Sequence, residues 1–146
     1  MDNKPDNELI EAARAAAANA HAPYSGYGVG AAVRLADGRI VAGCNFENAS
    51  YGLTLCAETV ALGSVTALGG LRDVRTIAVI GGRLADGAIT GSDPVRPCGR
   101  CRQVIFEAAA LSGHDVEVMC VSADGSAVES HRIGDLLPHA FGPDAL

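Results

Sequence analysis

Pro97-Cys98-Gly99-Arg100-Cys101-Arg102-Gln103, read together with Cys56-Ala57-Glu58 upstream, decides how this chain is understood. Cys98 and Cys101 are three apart, so at the start of a helix their sulfurs share one face and can share a metal ion. Cys56 can supply a third thiolate, which leaves one tetrahedral position free for water. Glu58, two residues beyond that ligand, is placed to move protons at the water. Three protein ligands with an open position is the arrangement of a catalytic zinc, whereas structural zinc sites are closed. A lone C-x-x-C is a weak signal. Joined to C-A-E it is a strong one.

Periodicity predicts a helix from Cys56 to Leu68, stopped by Gly69-Gly70, with Val60, Ala61, Val65 and Leu68 on its buried side. A second helix runs from Cys98 to Leu111, with Val104, Ile105 and Ala108 facing inward. Both metal segments therefore open helices, where unpaired N–H groups and the helix dipole favour thiolates. Zinc lowers the pKa of its water from 15.7 towards roughly 7. Three thiolates leave the site with a net negative charge that opposes this. Arg100, Arg102 and the helix ends are the compensation at hand. The competing readings are a redox C-x-x-C pair, buried inert thiols, or a closed structural zinc completed by Cys44, Cys120 or a histidine. The third cysteine and the adjacent Glu58 disfavour them. Cys44 and Cys120 lie in apolar strand patterns and read as core residues, and no motif surrounds His21, His114, His131 or His139.

Outside the motif, residues 6–20 read as an amphipathic helix capped by Asp6 or Asn7, with Leu9, Ile10, Ala13 and Ala17 on its apolar face. The Gly-rich stretch Pro23-Tyr24-Ser25-Gly26-Tyr27-Gly28-Val29-Gly30 breaks it and lets the backbone pass close to something. Strands follow at Val29–Leu35 and Arg39–Cys44, joined by an Asp37-Gly38 hairpin. Asn45 and Glu47 come next and, on an extended chain, point to one side. Such a pair suits two hydroxyls, and an ordinary polar strand end meeting solvent is the other reading. Residues Ala49–Leu55 form a loop containing Tyr51, Thr76–Ile80 a buried strand of parallel type, and residues 81–94 a loop. Val116–Val121 is a further strand, Asp124-Gly125 a turn, Ala127–His131 a last short strand, and Ile133–Leu137 one helical turn ended by Pro138. Strands alternating with helices predict an α/β fold whose central sheet is covered on both faces. There is no internal repeat or interdomain linker, so residues 1–146 are expected to form one domain.

The composition narrows the function. A net charge of −6 repels a phosphate backbone and argues against nucleic acid as partner, favouring a small substrate near neutrality. Five unevenly spaced cysteines do not make a secreted disulfide framework. The N-terminal residues Met1-Asp2-Asn3-Lys4-Pro5-Asp6 lack the apolar core of a signal peptide, and no run reaches membrane-spanning length. A cytoplasmic location is expected.

The chain resembles the small homotetrameric cytidine deaminases over residues 8 to 142. Besides the two metal motifs, the resemblance is carried by Pro23-Tyr24-Ser25, Val29-Gly30-Ala31-Ala32, Gly43-Cys44-Asn45-Phe46-Glu47-Asn48 and Leu136-Leu137-Pro138-His139-Ala140-Phe141. It implies a three-layer α/β/α sandwich around a mixed five-stranded sheet. It also implies one zinc per subunit on Cys56, Cys98 and Cys101, with Glu58 as proton shuttle. Asn45 and Glu47 would hold the ribose hydroxyls of a nucleoside, and Tyr27 would lie near the pyrimidine ring. Ala57, Tyr51 and Phe141 would complete the substrate contacts, the last two near a subunit boundary where sites are shared between chains. Two positions depart from the pattern. Thr59 stands where many three-cysteine members place an arginine that offsets the thiolates, and Tyr27 stands where Phe is usual. The blasticidin S deaminases share the metal motifs, and the Asn45/Glu47 pair is what favours a ribonucleoside or deoxyribonucleoside over their substrate.

Overall fold

The computed structural model describes residues 4–146; Met1–Asn3, part of the N-terminal stretch read above, lie outside the described residues. Helix α1 (Asn7–Ala17) starts where Asp6 accepts the Leu9 N–H at 3.1 Å and pairs through its carboxylate with Arg34 at 2.7 and 2.8 Å. Its apolar side, Leu9, Ile10, Ala13 and Ala17, is buried as the pattern required. Strands β1 (Tyr27–Leu35) and β2 (Ile40–Cys44) form an antiparallel hairpin around Asp37-Gly38. Helix α2 (Ala57–Ala67) leads to β3 (Val74–Ala85) and the short β4 (Ala88–Thr90). Helix α3 (Gly99–Ser112), β5 (Glu117–Ser122), β6 (Val128–Arg132) and the single turn α4 (Ile133–Leu136) complete the order.

The sheet runs β2-β1-β3-β5-β6 and is mixed, with β3 and β5 parallel and the other pairs antiparallel. The expected five strands are these. A sixth among the described residues, β4, pairs only with β3. The expectation of a loop over 81–94 is corrected here, because β3 continues to Ala85 and turns back through Asp86 (φ 51°) and Gly87 (φ 79°). Positive φ at both central residues is the two-residue hairpin geometry that Asp-Gly favours.

Period-two alternation sends β-strand side chains to two cores. Ala32, Ala78, Ile80, Met119 and Val121 pack under α1. Val33, Ile77, Val79, Val118 and Cys120 pack under α2 and α3 with Ala61, Leu62, Val65, Ile105 and Ala108. Strands covered on both faces read as near-continuous apolar runs, which is why the central strands were legible. The helices sit close. A Cβ on Gly30 would stand 1.9 Å from the Ala13 carbonyl oxygen, and one on Gly43 2.7 Å from the Ala61 nitrogen. Leu68, expected inside, is exposed because α2 ends before it. Cys120 is a core residue as read, while Cys44 is only half-buried. Among the described residues no helix is long and apolar enough to cross a membrane.

Candidate active site

Cys56 is the N-cap of α2 and Cys98 the N-cap of α3, both in extended conformation, so two helix N-termini converge on one point. Cys101 follows in the first turn of α3 and is fully buried. The sulfurs of Cys56, Cys98 and Cys101 lie within 4.8 Å of one another, and those of Cys56 and Cys98 are 3.8 Å apart. A tetrahedral ion with Zn–S bonds of about 2.3 Å sets its thiolates about 3.8 Å apart, so the donor set fits zinc in both chemistry and spacing. Neither Cys44, Cys120 nor any histidine joins the group among the described residues. With no fourth protein ligand at hand among the described residues, the donor set is that of an open zinc site rather than a closed structural one, and the third thiol beside the C-x-x-C pair disfavours a simple redox pair.

The protons of this cluster are unevenly held. Hydrogen bonds from the Cys101 and Cys98 thiols, with the Arg100 charge, bring Cys56 down to about 6. The Cys56 thiolate and burial push Cys101 strongly up. Glu58, in the first turn of α2, is 3% exposed, and burial raises its pKa above the ordinary glutamate value. Of the arginines read as compensation, Arg100 lies beside Cys56 and reaches the Thr54 carbonyl at 3.5 Å. Arg102 does something else: its Nε and Nη1 donate to the carbonyls of Pro97 and Leu136 at 2.8 and 3.1 Å, bracing the cysteine loop against α4. Arg96 is engaged by Glu129 at 2.9 and 2.5 Å, and Glu129 also accepts His131 at 2.9 Å. Thr59, which brings no charge, has its hydroxyl 3.5 Å from the Cys101 sulfur.

A cavity of about 190 Å³ opens over the thiols, lined by Val29, Asn45, Thr54, Ala57, Glu58 and Arg96 among others. Ligand pockets run to roughly 300–1,000 Å³, so this one is ring-sized and needs an extension. A second depression, lined by Tyr24, Ser25, Glu47, Tyr51 and Thr54, shares Thr54 with the first. Asn45 sits in the first, its Oδ1 accepting the Val29 N–H and its Nδ2 donating to the Tyr27 carbonyl, both at 2.9 Å. Glu47 sits in the second, accepting the N–H groups of Tyr24 and Ser25 at 2.9 and 3.2 Å and the Ser25 hydroxyl at 2.6 Å. Ser25 foremost, then these amides, hold its carboxyl below the usual range.

Cys56, Cys98, Glu58, Ala57 and Asn45 thus line one cavity, with Cys101 fully buried beside the other two thiols and Glu47 and Tyr51 in the neighbouring depression. Tyr27 lies two residues from Val29 on the same strand face, outside the lining, and Phe141 lies outside both depressions. Thr54, Val95 and the role of Ser25 were not foreseen. Only Ser25 had a signal, a hydroxyl next to Tyr24 in a stretch already singled out.

Comparison with known proteins places the family. Residues 3–112 match the cytidine and deoxycytidylate deaminase zinc-binding region. The chain belongs to that family of zinc-binding deaminases. A cytidine deaminase of Mycobacterium tuberculosis is 43% identical over 141 residues, covering 96% of this chain and 92% of that one. The crystal structure of cytidine deaminase from Burkholderia pseudomallei superposes with a TM-score of 0.81 at 45% identity, covering 94% of this chain and all of that one. A blasticidin-S deaminase of Bacillus cereus matches over 81 residues only, 56% of this chain, at 35% identity.

Proposed function

We infer that this chain is a zinc-dependent hydrolase that deaminates cytidine and 2′-deoxycytidine to uridine and 2′-deoxyuridine with release of ammonia. The observation that carries this is a buried Glu58 beside three clustered thiols, in a cavity that also takes in Asn45. The full-length similarity to cytidine deaminases supports the substrate, against a blasticidin relative that matches about half the chain.

Zinc on Cys56, Cys98 and Cys101, one per subunit, supplies Lewis-acid chemistry that makes water a nucleophile at neutral pH. Glu58 takes a proton from the attacking water and passes it to ring N3, then takes the remaining hydroxyl proton of the C4 adduct and delivers it to the departing amino group, which leaves as ammonia. Burial keeps its proton affinity closer to the working pH than an exposed carboxylate would manage. Ala57, at the first position of α2, has an N–H without an intrahelical partner, available to the ring carbonyl. Asn45 has one N–H and one lone pair left after its two backbone bonds, and Glu47 is held ionised, so together they offer a donor and an acceptor to sugar hydroxyls.

Tyr24, Phe46, Tyr51, Leu53 and Phe141 are large apolar side chains left exposed in one chain. We read them as covered in a homotetramer, with Tyr51 and Phe141 contributing to shared sites. Residues 1–146 serve as one catalytic domain in the cytoplasm, where the thiols stay reduced; neither nucleic acid nor membrane is a partner. The test is ammonia release by zinc-loaded protein with cytidine, deoxycytidine, cytosine, CMP and blasticidin S in parallel. Fast turnover of the two nucleosides alone is expected. Reaction of blasticidin S with cytidine untouched would overturn the substrate, and no reaction by a zinc-loaded protein would overturn the catalytic reading.

A further inference from the structure

Helix α2 contains three hydroxyl residues, and they are used in two ways. Ser64 donates to the Val60 carbonyl at 3.0 Å and Thr66 to the Leu62 carbonyl at 2.8 Å, each turning back onto its own helix. Thr59 does not. The residue four before it, Leu55, precedes the helix, and its carbonyl already accepts the Phe46 N–H at 2.9 Å. The Thr59 hydroxyl instead faces the Cys101 sulfur across the α2–α3 contact at 3.5 Å, within the range of a hydrogen bond to sulfur.

Cys101 is the ligand most in need of such a donor. It is fully buried, whereas Cys98 is exposed and Cys56 half-buried with Arg100 nearby. A buried anion without a hydrogen-bond partner is costly, and groups bonded to a metal's ligands fix both their orientation and the metal's affinity. We propose that the Thr59 hydroxyl donates to the Cys101 thiolate and is a positioning residue of the zinc centre, holding the deepest ligand through a neutral hydrogen bond rather than a buried cation.

The experiment titrates zinc into the full chain against a chromophoric chelator and records the thiolate-to-metal charge-transfer band of the cobalt(II) form. Thr59→Val, nearly the same shape without the hydroxyl, is expected to lose about 10- to 100-fold in zinc affinity. Its cobalt band should move to longer wavelength, because a thiolate without its donor gives up electron density more readily. Thr59→Ser should stay near wild type in both. Thr59→Ala is a second hydroxyl-free variant that asks for less room, and it should match Thr59→Val. The proposal is overturned if the hydroxyl-free variants bind zinc as tightly as wild type with the band unmoved. It is equally overturned if Thr59→Ser falls as far as they do, since packing would then be the cause. The proposal rests on the zinc assignment, which the wild-type titration tests by itself, and on no step of the nucleoside reaction.

Discussion

Around Cys101 the site is closed, with Glu58 and Ala57 buried beside it, two helices packed against the sheet, and Arg102 tying the cysteine loop to α4. Around Tyr51 it is open. That side chain is 74% exposed, touches Tyr24 edge-on at 5.5 Å, and sits on a loop with Phe46 and Leu53 also in solvent. The half that carries the metal chemistry stands at the N-termini of two helices packed on the core, with Cys101, Ala57 and Glu58 buried there. The half proposed to meet the sugar hangs on surface segments held by a few hydrogen bonds to Glu47. Reactivity and recognition are therefore under different structural control, and variants should separate them.

The largest separation is expected at Glu58. Glu58→Gln should lower kcat by about 10²- to 10⁴-fold while zinc content, measured by atomic emission, stays at one per chain. Turnover near wild type would move the proton chemistry elsewhere. Next comes the sugar half: Glu47→Gln should raise KM for cytidine and lower kcat/KM by about 10- to 100-fold, the loss of a hydrogen bond to a charged group. With 2′,3′-dideoxycytidine, which lacks both hydroxyls, the same variant should differ little from wild type. An equal loss on both substrates would mean the two halves are not independent.

Smaller effects are expected at the open rim. Tyr51→Ala should leave the melting of the sheet unchanged yet raise by about tenfold the protein concentration at which specific activity is half-maximal, equivalent to about 1.4 kcal/mol of lost association. A variant as active as wild type at every dilution would show the rim complete within one chain. The smallest effect is one of pH. Ser25 and two amides favour ionised Glu47, so its carboxylate is present above, and lost only as pH falls through, a value below the ordinary glutamate pKa of about 4.3. KM for cytidine should therefore hold steady through that ordinary value on the acid side. In Ser25→Ala its rise should begin at higher pH.

The closed half was legible in the sequence because its residues obey rules that act over short distances. Cys98 and Cys101 had only to open one helix, and Cys56 and Glu58 another, for the motif to assemble. The open half was less so. Residue chemistry alone left Asn45 and Glu47 between a hydroxyl-binding pair and an ordinary strand end, and only the family resemblance decided it, since the groups that hold them, the Val29 and Ser25 N–H groups, come from another segment. The β3–β4 hairpin was missed for a related reason. Gly81-Gly82 erased the strand pattern, although a Cβ at Gly82 would stand 2.1 Å from the Thr90 oxygen, so glycine is there for close backbone passage. Asp86-Gly87 carried the same turn signal as Asp37-Gly38, yet no alternating apolar residues flanked it. Thr59 looked like a missing charge because sequence shows what a side chain brings and not which sulfur it faces.

The placement of the three thiols also bears on how the chain reaches its final form. Cys56 lies on the excursion between β2 and β3, and Cys98 and Cys101 lie on the one between β3 and β5. A hairpin such as β1–β2 closes in roughly 1–10 μs, whereas a parallel pair such as β3–β5 waits for its whole connection to dock. A chain emerging from synthesis therefore carries its first thiol well before the other two can meet it. The complete chelate forms only when both excursions have settled on the same face of the sheet. Zinc capture should then be among the last events of assembly, a mark of a finished chain rather than a seed for folding.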